Sequence, residues 1–493
     1  MAISFINISK NLRIPLVFGE FSNEKAGYFV ENSRALLFGQ SINAITEEPT
    51  LITSADQAKS LYGTGSQLAR MVQFFKLNND FTELWVLPLN DVSGATAATK
   101  TITFTGTATG SGTHAFYLGG EVVNVPVVIG DSPTTQAAAT VAAITAAKDA
   151  PFTATSALGV VTITAKNKGT LGTSIPVVLN FRGKLANEVL PAGVTVAIAA
   201  GTAGATDPSF SSKLSLLGDQ EFMFYGHPYA DTSNIAALTA FLNDTTGRWS
   251  PLKAQYGHAW TCKADTSSAL VTLGNAINDQ HQSLFGYETG VPNASTDVIG
   301  AILGQVSNAL NNDPARTVQT LVLQGIIAAK EADRFTSTTR NILLWNGIAT
   351  LKYNVSAVQI ERSITTYQKN SYSQADPSYL DVETLTTLAY LQKALTYRFT
   401  QKFPRMKLAA DGTKFGFGQA VVTPKDIFAE LVAQYAEWER DGLVQEMKKF
   451  KEKSFVELDG NDPNRVNILF APYLVNNLRV IAIKTEFYLN TGA

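Results

Sequence analysis

The chain has 493 residues, room for two to four domains of roughly 100–200 residues each, so a sizeable core needs no covalent staples. Lys plus Arg number 39 against 41 for Asp plus Glu, a balance that gives no electrostatic reason to expect nucleic acid or an anionic membrane as the main partner. Cys262 is the only cysteine, which excludes an intramolecular disulfide and any multi-cysteine metal site and fits folding in a reducing cytoplasm.

Charged residues make up 16% of the chain where about 25% is usual, with Thr, Ala and Gly filling much of the difference. That composition suits a large, well-packed protein, and equally a subunit that covers much of its surface with neighbours. The start, MAISFINISKNLRIP, carries neither a basic n-region nor a continuous apolar h-region, and no stretch approaches the roughly 18 apolar residues of a membrane span. Neither secretion nor membrane insertion is signalled.

In chain order, residues 1–22 alternate, with Ile14, Leu16 and Phe18 facing one way and Arg13, Pro15 and Val17 the other. Pro15 has no N–H to give a sheet interior, so this terminal strand is expected on an edge, as an arm. From 33 to 89, and again from 210 to about 345, short apolar strands (34–40, 83–89, 221–227, 258–263) alternate with helical patterns near 65–78, 232–243 and 267–281. Such alternation predicts an α/β layer.

Between these stretches, residues 96–203 are rich in Thr, Val, Ala and Gly and carry seven strand-like runs, from TITFTGTA to VTVAIA, interrupted by an Ala-rich helix near 134–148. Because the α/β pattern resumes afterwards, this is expected to be a β-rich domain inserted in a surface loop between small-residue linkers.

After the turn dipeptide Asn346-Gly347 the chain reads as an antiparallel pair, IATLKY followed by AVQIERSITTY. A helix over 378–402 follows, carrying Leu380, Leu385, Leu388, Leu395 and Phe399. Thr423-Pro424 then supplies an N-cap and a first-turn proline for a helix with Ile427, Leu431, Tyr435 and Trp438 on one stripe, ending at Gly442. The final alternating segment, 475–490, is apolar on both sides, the pattern of a strand covered on both faces.

The predicted fold class is therefore a mixed α/β and α+β multidomain chain. It comprises an N-terminal arm (1–22), a discontinuous α/β domain (23–95 plus 204–345), an inserted β-rich domain (96–203), a C-terminal α+β domain (346–475) and a C-terminal arm strand (476–493).

The chemistry of catalysis is thinly represented. His114, His227, His258 and His281 never stand at i, i+3 or i+4 from one another, so zinc and facial-triad spacings are missing, and structural or surface roles are expected for all four. Gly63-Thr64-Gly65 and Gly416-Phe417-Gly418 begin a dinucleotide fingerprint without its third glycine. Carboxylate pairs such as Glu47-Glu48 and Glu437/Glu439 read as solvated faces. No catalytic residue, cofactor or metal site is expected. Lys448, Lys449, Lys451 and Lys453 are different in that Leu443, Val444, Met447 and Phe450 form the opposite stripe, which puts the lysines on one outer helix face. Most such faces only solvate a helix; a binding role is the sharper reading.

Several ordered blocks carry a resemblance. NLRIPLVFGEFSNEKAG, VQIERSITTYQKN followed by DPSYLDVETLTTLAYLQ, TQKFPRMKLAADG, GQAVVTPKDI and NDPNRVNILFAPYLVNNLRVIAI resemble the tail sheath proteins of Mu-like contractile phages and their prophage or tailocin relatives. The likeness runs from Leu12 to the C-terminus and is strongest over 355–490. It implies a structural subunit, not an enzyme, that stacks as six-fold rings around a tail tube protein between baseplate and tail terminator proteins. It also implies a virion-tail location after assembly in the host cytoplasm, with no direct nucleic acid contact and no membrane insertion.

The same likeness implies that arms from neighbouring copies add strands to a C-terminal domain, because a donated strand satisfies an exposed sheet edge. The arm contacts expected from alternation and terminal position are Arg13, Ile14, Leu16 and Phe18, and Arg479, Val480, Ile481, Ala482 and Ile483. Two other readings compete: a two-domain α/β enzyme with a β-rich lid, which a co-purifying cofactor would reveal, and a carbohydrate-binding adhesion protein, which glycan binding by 96–203 would reveal.

Overall fold

The computed structural model describes residues 33–354, 357–416 and 418–489. The arm expected over 1–22, with Arg13, Ile14, Leu16 and Phe18, lies outside the described residues.

The first segment contains Ala35–Gln40 (β1), Thr50–Ile52 (β2), Ala55–Tyr62 (α1), Gln67–Asn78 (α2) and Leu84–Leu89 (β3). Ser54 and Ser66 cap the two helices by accepting from the N–H groups of Gln57 and Ala69. The helix expected near 65–78 is thus preceded by a second one. Gly63, of the incomplete fingerprint, ends α1 at φ +85°, and Gly65 stands just before the cap of α2.

The insertion runs through Thr99–Thr105 (β4), Gly112–Leu118 (β5), Glu121–Val127 (β6), Pro133–Ala146 (α3), Phe152–Ala157 (β7), Val160–Ala165 (β8), Leu171–Ser174 (α4), Val177–Leu179 (β9) and Thr195–Ala200 (β10). All seven expected strands form. They make two small sheets of their own, ordered β10-β4-β8-β7 and β6-β5-β9, around a core that includes Ile102, Phe116, Val125, Phe152 and Ile163. The stretch leaves and returns through Thr96 and Ala205, whose backbones exchange two hydrogen bonds of 3.2 Å.

The α/β pattern resumes with Phe224–His227 (β11), Thr232–Leu242 (α5), His258–Ala264 (β12), Ser267–Asn275 (α6), Gln282–Tyr287 (β13), Ser295–Asn312 (α7), Ser337–Trp345 (α8), Ile348–Asn354 (β14) and Ala357–Arg362 (β15). One eight-stranded sheet results, ordered β15-β14-β13-β12-β11-β1-β3-β2. The six inner strands are parallel, and β15 and β2 close the two sides antiparallel. β14 and β15 form the expected antiparallel pair, and β14 also pairs with β13. The sheet therefore runs on past residue 345, where a change of domain was expected, and ends at Arg362.

Two elements of this layer carry weak sequence signals. The helix expected over 267–281 stops at Asn275, because the residues beyond it are engaged outside the helix: Asn278 Oδ1 accepts from Gln368 N at 2.7 Å, and buried Asp279 accepts from Thr239 and Gln282. The next stretch becomes β13. The long helix α7 contains Gly300 and Gly304, which lower helix propensity but let α2 approach closely. A Cβ at Gly300 would stand 2.4 Å from Met71 O, and one at Gly304 would stand 2.9 Å from Phe75 O.

Both faces of the sheet are covered, as parallel strands require. Met71, Phe75, Ile302 and Trp260 belong to the core on one side; Phe210, Tyr225, Leu238 and Leu242 belong to the core on the other. The insertion is joined to this body by Arg70, whose guanidinium grips Asp297 at 2.9 and 2.5 Å and also donates to Asp149 O and Gly119 O, both at 2.7 Å.

The chain then forms Val382–Lys402 (α9), Lys407–Leu408 (β16), Val421–Val422 (β17), Pro424–Arg440 (α10), Met447–Lys453 (α11), Phe455–Leu458 (β18) and Val466–Leu469 (β19). Thr423 and Asp426 make a reciprocal capping box, with Pro424 in the first turn of α10. α9 belongs to two cores: Val382 and Ala389 pack into the sheet's core, and Leu391, Ala394 and Leu395 into a second core with Leu431, Tyr435 and Trp438.

Candidate assembly interface

The second core gives the C-terminal unit its rigidity. Tyr435 stacks on Phe450 with ring centroids 3.7 Å apart, its hydroxyl donates to Gln445 O at 2.6 Å, and it accepts from Tyr473 N at 3.1 Å. Arg398 of α9 holds Glu430 and Glu437 of α10, so Glu437 is an ion-pair partner as well as a half-exposed carboxylate.

On this unit stands the β18–β19 hairpin, which sequence reading missed although two short apolar runs flank a turn-rich DGNDPNR. Its register pairs Phe455 with Leu469, Val456 with Ile468 and Leu458 with Val466. Val456, Leu458, Val466 and Ile468 consequently share one aliphatic face, with Leu458 and Ile468 both 37% exposed. The sheet has two strands only, so each strand has an edge that pairs with no strand among the described residues. Two-stranded sheets are marginal alone, and unpaired edges invite a further strand.

The C-terminal segment starts from the same unit. Val444 bridges Leu474, Val475 N donates to Leu443 O at 3.2 Å, and Gln445 Nε2 donates to Leu474 O at 2.8 Å. Past these contacts the segment expected to be a strand pairs with no strand among the described residues. Val480, Ile481, Ile483 and Phe487 are 72–83% exposed, and Ala482 is exposed with them. Arg479 differs from these neighbours. Its guanidinium lies within its own subunit, against Asp381 at 2.8 Å and Glu383 at 2.9 Å. No local pattern announces this cluster, because its members are distant in the chain.

Lys448, Lys449, Lys451 and Lys453 are all exposed on α11, with Phe450 buried beneath them. Lys449 pairs with Glu446 at 3.1 Å. The expected stripe is only partly helical, since Gly442 and Glu446 have positive φ and α11 begins at Met447; Leu443 and Val444 reach the same core from the preceding loop.

The place where an α/β sheet offers a ligand crevice is the switch point between β1 and β11, at the carboxyl ends of the strands. Here residues of the insertion reach into that place. Asn167 Oδ1 accepts from Gln67 N in the first turn of α2 at 2.9 Å, Asn167 Nδ2 donates to Ser41 O at 3.1 Å, and Gln40 Nε2 donates to Lys168 O at 3.0 Å. The four histidines are buried: His258 bonds Ser283 Oγ at 2.8 Å, His114 bonds Gln136 at 3.1 Å, and burial pushes His227 down to about 4. Burial also pushes the Cys262 thiol up, away from reactivity.

Comparison with known proteins places residues 203–366 in the family described as phage tail sheath protein central domain, and residues 374–488 in phage tail sheath C-terminal domain. The Mu-like prophage FluMu tail sheath protein of Haemophilus influenzae is 38% identical over 495 residues, covering 99% of this chain and 100% of that protein. Among solved structures, the sheath tail protein of Desulfitobacterium hafniense aligns at 12% identity over 93% of this chain and 97% of its own, with a TM-score of 0.48. The helical sheath of the anti-feeding prophage in its contracted state aligns at 11% identity over 96% and 99%, also with a TM-score of 0.48.

Proposed function

The chain belongs to the phage tail sheath family, a family of structural tail proteins, and from that premise we propose that its copies polymerise by donating strands to one another. In this reading the strand containing Val480, Ile481, Ala482 and Ile483, with Arg479 at its root, pairs with an edge of the β18–β19 hairpin in a neighbouring copy. The N-terminal arm, through Arg13, Ile14, Leu16 and Phe18, supplies another strand to the same small sheet. A heterologous contact repeated with a rise generates a helical tube, and in this reading the copies stack as six-fold rings around a tail tube, between baseplate and terminator. Contraction of the stack drives the tube through the host envelope. The particle is assembled in the host cytoplasm and needs no cofactor, because the work comes from two packings of the same bodies.

One observation carries the proposal: a segment apolar on both faces stands exposed on the same unit as a two-stranded sheet with unused edges. Backbone pairing would satisfy the edges, and alternate side chains would be buried on both faces. The test is truncation. Removing 480–493, or separately 1–20, should leave a folded, soluble subunit that forms no tubes by negative-stain microscopy. Tubes of normal length from both truncations would refute strand donation.

The exposed lysines of α11 support a finer point, that this face meets acidic groups on the tube. Changing Lys448, Lys449, Lys451 and Lys453 to Glu should weaken tube attachment and spare self-assembly, and an unchanged tube affinity would refute that role.

A further inference from the structure

Arg479 is an anchored point in an otherwise exposed stretch, with Leu478 before it 66% exposed. The Arg479 side chain is 12% exposed, whereas Val480 is 80% exposed. Arg479 Nη2 donates to Asp381 Oδ1 and Glu383 Oε2, and Nη1 donates to Gln319 Oε1 at 3.2 Å. Gln319 Nε2 answers with a long bond of 3.4 Å to Leu478 O.

Each acceptor is fixed from behind. Arg362, the last residue of β15, holds Asp381 through two bonds of 3.0 Å. Glu383, in the first turn of α9, has a side chain 1% exposed and accepts from Val318 N at 2.5 Å. Burial raises the Glu383 pKa, and the Arg479 guanidinium works against that rise. One side chain therefore ties the segment to the outer strand of the large sheet, to α9 and to the 317–320 loop that covers β15. An arginine fork suits this task, since it presents several donors in a fixed plane.

We propose that Arg479 is a pin dividing the C-terminal segment into a root held by its own subunit and a donated strand that begins at Val480, its partner being a second copy of this chain. The use of the strand rests on the donation reading above; the pin itself is a property of the single subunit. Pinning shortens the reach. Residues 480–489 extend over at most roughly 33–36 Å, so any hairpin edge that pairs with these residues lies within that radius of Arg479. Were the hinge at Val475, five more residues would add roughly 16–18 Å and loosen the direction of donation. Arg479 is thus a positioning residue: it aims the strand and raises the effective concentration of its free part near the neighbour.

Trypsin reads the pin directly, because it cleaves after Arg479 only when that guanidinium has left its carboxylates to enter the protease. Lys484, 84% exposed on the same segment, has only an exposed ion pair with Glu486 to release, which costs little, and serves as the internal control. In the soluble wild-type subunit, cleavage after Lys484 should be faster than after Arg479 by roughly tenfold or more, as expected when one site must open locally first. Glu383→Gln removes the charge that faces the guanidinium, Gln319→Ala removes the bonds to Arg479 Nη1 and to Leu478 O, and each should raise the Arg479 rate several-fold while leaving the Lys484 rate unchanged. Gln319 is only half-buried, so its variant decides the question if Glu383→Gln does not fold. Equal wild-type rates at the two sites, or an unchanged ratio in the folded variants, would overturn the pin. A subunit that passes this test and never polymerises keeps the pin and refutes donation. One that polymerises through 480–489 while Arg479 is cut as fast as Lys484 does the reverse.

Discussion

β1 and residues 480–489 are alike in sequence, each carrying apolar side chains on both faces, and opposite in circumstance. In β1, Ala35 and Leu37 enter one core, Leu36 and Phe38 enter the other, and the backbone pairs with β11 on one side and β3 on the other. Residues 480–489 have neither a core nor a paired edge among the described residues, and their large apolar side chains stand 72–91% exposed. A two-faced strand needs two covers and two edges, and of these two stretches the described residues meet that requirement for β1 and leave it open for 480–489. The difference separates what the subunit completes within itself from what, in the strand-donation proposal, a second copy completes.

The largest effect expected from testing that division lies at the joint the body closes for itself. Arg70→Met would leave the fully buried Asp297 carboxylate without its cation, which should cost about 3–5 kcal/mol in denaturant unfolding. A loss under about 1 kcal/mol would mean that the insertion is held by other contacts.

Next comes the strand comparison itself. Leu37→Ala should cost about 2–5 kcal/mol, since it opens a cavity in the sheet's core. Ile481→Ala should shift the same midpoint by no more than about 0.5 kcal/mol while impairing polymerisation. Equal losses in the soluble subunit would show that 480–489 belongs to the body.

The smallest effect is acid sensitivity of the closed part. Burial lowers His227 from 6.5 to about 4, so the unfolded chain takes up a proton that the folded one refuses. Its contribution is present above pH 6.5 and is lost as pH falls toward 4, on the order of 2 kcal/mol by about pH 5. His114 and His258 shift in the same direction; Asp297 and Glu383, raised by burial, act with the opposite sign. His227→Gln should therefore flatten the stability profile between pH 6.5 and 5, and an unchanged slope would show that other groups set it.

Sequence reading succeeded where one local signal dominates. The seven strands of the insertion follow from Thr and Val alternation, and Thr423-Pro424 marked the start of α10 because cap and first-turn proline act within four residues. β13 and α7 escaped notice because their features answer to distant partners. Gly300 and Gly304 weaken the helical pattern, and their use becomes visible only against Met71 and Phe75 on α2. The same holds at the interface. The apolar alternation of 480–483 is written locally, whereas the separate role of Arg479 depends on Gln319, Asp381 and Glu383, none of them its neighbour in sequence.

The crossing point at Thr96 and Ala205 has a consequence for how such a chain can diversify. Departure and return occur side by side, so the strands beneath follow the same path whatever loop, sheet or length is hung above them. A cassette on paired stems can be swapped whole while the sheet beneath keeps its geometry. Only the few sockets that meet it, Arg70 and Gln67 above all, would have to be refitted.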